Sequence, residues 1–221
     1  RLVMMIREPI QSCESWVRTL FTENNYSKLI YRIIGMLFAI DQIAFRMHDS
    51  IGVRLEDIKR QPEATMRAFC SWLDVKESQS LYEMTAQGKK WWGDPSSPDF
   101  RENEAMSPFD ETSIKRSVGT VFSEKDQFVL RTLFYPFSVR FNYRKPNQKQ
   151  FEIDLMKIRP LFDDLMDFEI EIVKKSKIDP IRFKSSIGYL LLRAGFIDRW
   201  KVLNEFKDYP NMITPLKINF E

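Results

Sequence analysis

The stretch RLVMMIREPIQSCESWVRTLFT, Arg1 to Thr22, decides the fold. Its apolar run Leu2-Val3-Met4-Met5-Ile6 stops at Arg7-Glu8-Pro9. An apolar run of this length, bounded by a breaker, predicts a short, fully buried strand. Pro9 suits the first turn of a helix, where its missing N–H is no loss. Trp16, Val17, Leu20 and Phe21 recur at helical spacing, so a helix is expected directly after the strand. In open α/β sheets, ligands sit off the carboxyl ends of the strands. Arg7 stands at such an end, and Ser12 and Ser15 share one face of the helix that starts there. A helix N-terminus with an arginine and hydroxyls beside it predicts an anion site, suited to phosphate.

Working outward, Lys28 to Met47 carries a long helical stripe, and Ile51 to Leu55 reads as a second short strand with Glu56-Asp57 at its carboxyl end. Pro62 and Glu63 open a helix to Leu73. Strand, helix, helix, strand, helix is the grammar of an α/β fold with a parallel sheet. Residues 79–110 are rich in turn formers and read as a long loop holding Lys89-Lys90-Trp91-Trp92. Ser123 is the expected N-cap of a helix that bends or stops before Pro136. Asn142 to Gln150 is the best linker. Beyond it the pattern is helical, with a restart at Pro160, helices at 179–194 and 197–206, and an irregular tail marked by Pro210 and Pro215. The expected organisation is an α/β unit over 1–145 and a helical extension over 146–221.

Of the 221 residues, 43% are hydrophobic and 18 are Phe, enough for a sizeable core. Basic and acidic residues number 34 and 31, a balance that gives no global field for nucleic acid. Cys13 and Cys70 form neither a disulfide framework nor a metal motif, and both sit in apolar helical patterns. Buried thiols in a reducing, cytoplasmic setting are expected. No run of 18 apolar residues predicts a membrane span, and no signal peptide is recognisable. Because the chain opens directly on a core strand, further residues upstream are expected in the natural protein.

Arg7-Glu8-Pro9 followed by Ser15 resembles the 3′-phosphate-binding motif of the sulfotransferase family, a strand ending in Arg-Asp-Pro and then a helix bearing Ser. Residues 53–66, VRLEDIKRQPEATM, are similar to the family's strand and helix reading Tyr-Glu-Asp-Leu, then Pro-Glu. Leu55 stands in place of the Tyr. Phe69-Cys70-Ser71-Trp72-Leu73 resembles the end of that helix, and Lys89-Lys90-Trp91-Trp92-Gly93-Asp94 resembles the basic loop that closes over the nucleotide. The resemblance implies a P-loop-type parallel sheet flanked by helices. It implies 3′-phosphoadenosine 5′-phosphosulfate as donor, no metal, and a small-molecule or glycan acceptor. Arg7 would grip the 3′-phosphate and Ser15 would donate to it. Ser12 would be a second donor, Lys89 or Lys90 would add charge, and Glu56 and Asp57 would be structural.

None of the seven glycines stands in a P-loop-like segment. The groups that act on the sulfur are therefore expected upstream of residue 1, and the expected partner is the missing N-terminal segment or a second copy of the chain. Structural readings stand beside these. Arg7 could pair with a carboxylate, Ser12 and Ser15 could bond back to helix carbonyls, Lys89-Lys90 could be solvated, and Trp91-Trp92 could pin the loop. His48, the only histidine, reads as a polar residue near a helix end. The rival functions are a non-catalytic nucleotide- or partner-binding remnant and another P-loop-type transferase or kinase.

Overall fold

The computed structural model describes residues 1–22, 49–83, 85–86, 89–90, 109–176 and 213–219. Strand β1 (Leu2–Ile6) leads into helix α1 (Pro9–Thr22) as expected, but it is not the fully buried strand predicted: only Ile6 is buried, and Met5 is 60% exposed. Strand β2 (Ser50–Arg54) is followed at once by α2 (Leu55–Arg60) and α3 (Pro62–Leu73). Leu55, expected in the strand, opens a helix instead. Pro62 occupies the first turn of α3, and Asp74 closes that helix in the left-handed conformation at φ 59°.

Beyond a 3-10 turn at Gln79–Tyr82 comes a two-stranded antiparallel pair, β3 (Thr85–Ala86) and β4 (Lys89–Lys90). A second 3-10 turn covers Thr112–Ile114. Helices α4 (Glu124–Leu133) and α5 (Tyr135–Arg140) meet at Phe134, where Pro136 ends the continuous pattern. Helix α6 (Gln148–Ile158) runs into a 3-10 turn at Arg159–Asp163, and α7 (Asp167–Ser176) follows. The last described element is β5 (Thr214–Pro215). The helices expected at 28–47, 179–194 and 197–206 fall outside the described residues, as do His48, Trp91 and Trp92.

At the coarse level the chain is a helix-rich α/β protein. Its three-stranded sheet has the order β1-β2-β5, and both pairings are parallel. Leu2 lies opposite Ser50 and Ile6 opposite Arg54, so the carboxyl ends of β1 and β2 finish level. Ile51, Gly52 and Val53 of the middle strand are all buried, the continuous burial typical of a parallel strand covered on both faces. The tail is not irregular at Pro215. Gly52 pairs with Pro215, and the Leu216 amide donates to the Gly52 carbonyl at 2.9 Å. Proline is tolerated there because β5 lies at an edge of the described sheet, where no ladder bond is asked of its nitrogen.

Two packing centres hold the elements. Ile6, Phe137, Phe141 and Ile213 join β1, α5 and the tail. Gly52 is required beside them, since a Cβ there would come within 2.9 Å of Ile6 and 2.7 Å of the Phe141 ring. On the second, Phe122 and Phe168 pack with ring centroids 5.1 Å apart, and Tyr135 stacks on Phe151 at 4.3 Å. Helix α1 buries Ile10, Cys13 and Val17, while Trp16 is 42% exposed. The apolar face therefore runs i, i+3, i+7 from Ile10, and Trp16 does not belong to it. Cys13 and Cys70 are free and buried, and burial pushes the Cys13 thiol far up, leaving it protonated.

Candidate functional site

The carboxyl end of β1 is organised by carboxylates before any ligand is considered. The Glu8 carboxylate accepts the Gln11 amide at 2.6 Å and so caps the start of α1. The Glu8 amide in turn donates to buried Glu56 at 3.0 Å, and Glu56 accepts the Tyr143 hydroxyl at 2.7 Å. Glu56 is thus a structural tie between β1, α2 and the turn after α5. Asp57 of α2 pairs at 3.5 Å with Arg54, the last residue of β2. Burial raises the Glu8 carboxyl, an effect only partly offset by the Gln11 and Ile10 amides. Glu8 itself therefore fills the helix N-terminus where an anion is expected from the sequence.

Arg7 is half-buried and turns toward that same helix. Its Nε and Nη2 donate to the Gln11 side-chain oxygen at 3.0 and 2.8 Å, and Nη2 also donates to the Ser113 carbonyl. Burial and the neighbouring charge of Arg116 lower its guanidinium from the ordinary value, against the pull of Glu56 and Glu8. Guanidinium remains charged under these conditions.

A small cavity, about half open to solvent, lies one turn further along α1. Gln11, Glu14, Ser15 and Arg18 line it from the helix, and Arg116, Ser117 and Thr120 line it from the loop before α4. Arg116 Nη1 donates to the Ser15 hydroxyl at 3.4 Å. The Gln11 side-chain amide donates to the carbonyls of Ile114, at 3.1 Å, and Arg116, which fixes the near edge of the loop. Its enclosed part has room for about one water-sized group, so a larger anion would sit at its open mouth.

Of the expected residues, the structure brings Ser15 into the cavity. Arg7 reaches it only through Gln11. Ser12 is half-buried, donates its amide to the Glu8 carbonyl at 3.0 Å, and does not line the cavity. Lys89 is exposed on β4 and is not part of the lining; Lys90 shares that strand, and its side chain lies outside the described residues. Sequence reasoning missed Gln11, Glu14, Arg18, Arg116, Ser117 and Thr120. One signal was present: Arg116-Ser117 followed by Gly119-Thr120, directly ahead of the helix start at Ser123, is a basic, hydroxyl-bearing turn.

Among the described residues no group of three or more His, Cys, Asp or Glu is placed to hold a metal, and no helix is long and apolar enough to cross a membrane. Comparison of the chain with protein-family models, curated proteins and solved structures gives no match.

Proposed function

We propose that the chain holds the 3′-phosphate of 3′-phosphoadenosine 5′-phosphosulfate for a sulfotransferase built on a P-loop-type sheet. The observation that carries the reading is the cavity on α1, where Ser15 faces Arg116 and Arg18 beside the Arg7 strand end. The donor set fits a phosphate. Arg116 and Arg18 supply charge that persists at any physiological pH, and Ser15 and Ser117 supply hydroxyls. Arg7 holds Gln11, and Gln11 holds the loop that carries Arg116. The sequence motif read on Arg7 and Ser15 thus extends to a loop more than a hundred residues away.

In the overall reaction a sulfuryl group passes to a hydroxyl or amine of a small-molecule or glycan acceptor. The bond from sulfur to the phosphate oxygen breaks as the bond to the acceptor forms, and adenosine 3′,5′-bisphosphate leaves. The chain's own contribution is to bind and orient the donor, and positioning of this kind can supply much of a transfer rate. None of the described residues is assigned to the reacting sulfur.

Calorimetric titration with adenosine 3′,5′-bisphosphate tests the site. Arg116→Ala is expected to weaken binding about tenfold or more, the scale of a charge-assisted hydrogen bond. Ser15→Ala should weaken it less. Adenosine 5′-monophosphate, which lacks the 3′-phosphate, should be insensitive to both substitutions. Equal affinity of the wild type and Arg116→Ala for the bisphosphate would sink the assignment. A non-catalytic nucleotide-binding role is favoured by the absence of a glycine-rich phosphate loop among the seven glycines. Transfer of labelled sulfate from the donor to a panel of hydroxyl and amine acceptors separates the two readings.

A further inference from the structure

The loop from Lys115 to Phe122 is irregular, yet it carries three of the seven cavity residues. An irregular loop is costly to order, and a site that depends on one binds well only when the loop is fixed beforehand. What fixes this loop is Glu14, a carboxylate only 3% exposed in the middle of α1. The Gly119 amide donates to its two oxygens at 2.8 and 3.1 Å. The Thr120 hydroxyl donates at 3.2 Å, the Val121 amide at 2.6 Å and the Phe122 amide at 3.0 Å. Gly119 adopts φ +111°, a backbone region that side-chain-bearing residues rarely enter, and this brings the successive amides round to one point.

We propose that Glu14 is a positioning residue of the phosphate site: its carboxylate draws residues 119–122 onto α1 and so sets Arg116, Ser117 and Thr120 opposite Ser15 and Arg18. The inference rests on the reading of that cavity as a nucleotide phosphate site. A negative side chain in the wall of an anion site would ordinarily oppose binding. Here a carboxylate with about four acceptor positions receives five hydrogen bonds from the loop, so its charge is met by loop donors. Glu14 therefore acts through the loop and does not itself touch the ligand. A lysine or a neutral residue at 14 would lower the negative charge near the anion and still weaken the site, because the amides of 119, 121 and 122 would lose their common charged acceptor.

The test is a double-mutant cycle on the intact chain, read by calorimetry with adenosine 3′,5′-bisphosphate. Glu14→Gln is expected to weaken binding by the folded protein about tenfold or more. On that background Arg116→Ala should cost clearly less than it costs in the wild type, because Arg116 has already lost its placement. Glu14→Asp, which keeps the charge on a shorter arm, should recover part of the affinity. Gly119→Ala perturbs the same loop without touching the cavity lining, and gives the same cycle should Glu14→Gln fail to fold. If Glu14→Gln and Gly119→Ala lower the unfolding midpoint but leave both the affinity and the cost of Arg116→Ala unchanged, Glu14 is structural only and the proposal is overturned. A wild type that binds no bisphosphate overturns the site reading, and the positioning role with it.

Discussion

Glu14 shows how one side chain can carry opposed electrostatic effects. Burial alone would raise its carboxyl, but the bonds from the Val121, Phe122 and Gly119 amides and the Thr120 hydroxyl outweigh it and hold the pKa below the ordinary glutamate value. A carboxyl lowered by folding contributes stability that is complete above its unfolded value of ~4.3 and is lost as pH falls through the lowered folded value. The stability gap between the wild type and Glu14→Gln should therefore narrow as pH falls below the unfolded value of ~4.3 and through the lowered folded value, where the wild type loses what the variant never had. Urea unfolding at a series of pH values measures it, and a gap independent of pH would refute a lowered carboxyl at Glu14. Glu8 and Asp126 run the other way, since burial raises both. Their effect is common to the two proteins and cancels in the difference. The charge of Glu14 was plain in the sequence, but its partners, 105 to 108 residues away, were not.

Helix ends supply the element-scale logic. Ser123 and Asp126 form a complete capping box at the start of α4, as the run Ser123-Glu124-Lys125-Asp126 predicts. Asp126 does more than the local pattern shows. Its oxygens also accept the Asp167 amide at 2.7 Å and the Phe168 amide at 3.1 Å, so one carboxylate caps two helices. Ser123 adds a bond to Asp167 at 2.6 Å. Asp126→Ala would leave three amides without their acceptor and should cost about 2–4 kcal/mol. Asp126→Asn, which keeps one acceptor oxygen, should cost less. Urea midpoints with unchanged m-values would measure both, and a loss below ~0.5 kcal/mol for Asp126→Ala would mean that water replaces the caps without penalty.

For the whole molecule, the decisive contact is between the two ends of the described chain. Ile213, fully buried, packs with Ile6, Phe137 and Phe141, and the segment it begins adds β5 to β2. Arg140 donates to the Ile213 carbonyl at 3.4 Å. Residues beyond 146 also reach back elsewhere, through Phe168 on Phe122 and Phe151 on Tyr135. Ile213→Ala is expected to cost about 2–4 kcal/mol, the usual loss for a large-to-small change in a packed core. Calorimetric melting should show one transition moved to lower temperature. A separate low-temperature transition, with the main one unmoved, would show that the tail is not part of the cooperative unit.

The local grammar was determined by the sequence itself: β1 into α1, the position of β2, Pro62 at the head of α3, the cap at Ser123 and the break before Pro136. These follow from periodicity, φ restriction and side chains that satisfy nearby backbone groups, all of which act within a turn or two. Tertiary structure alone decided that Trp16 would face outward and that Pro215 would lie in a strand. It also placed Arg116 and Gln11 at the cavity where Lys89 was expected to contribute. Each of these depends on which distant segment arrives to cover or bond a group. Residues 115–122 lack the regular spacing that would have announced where they dock.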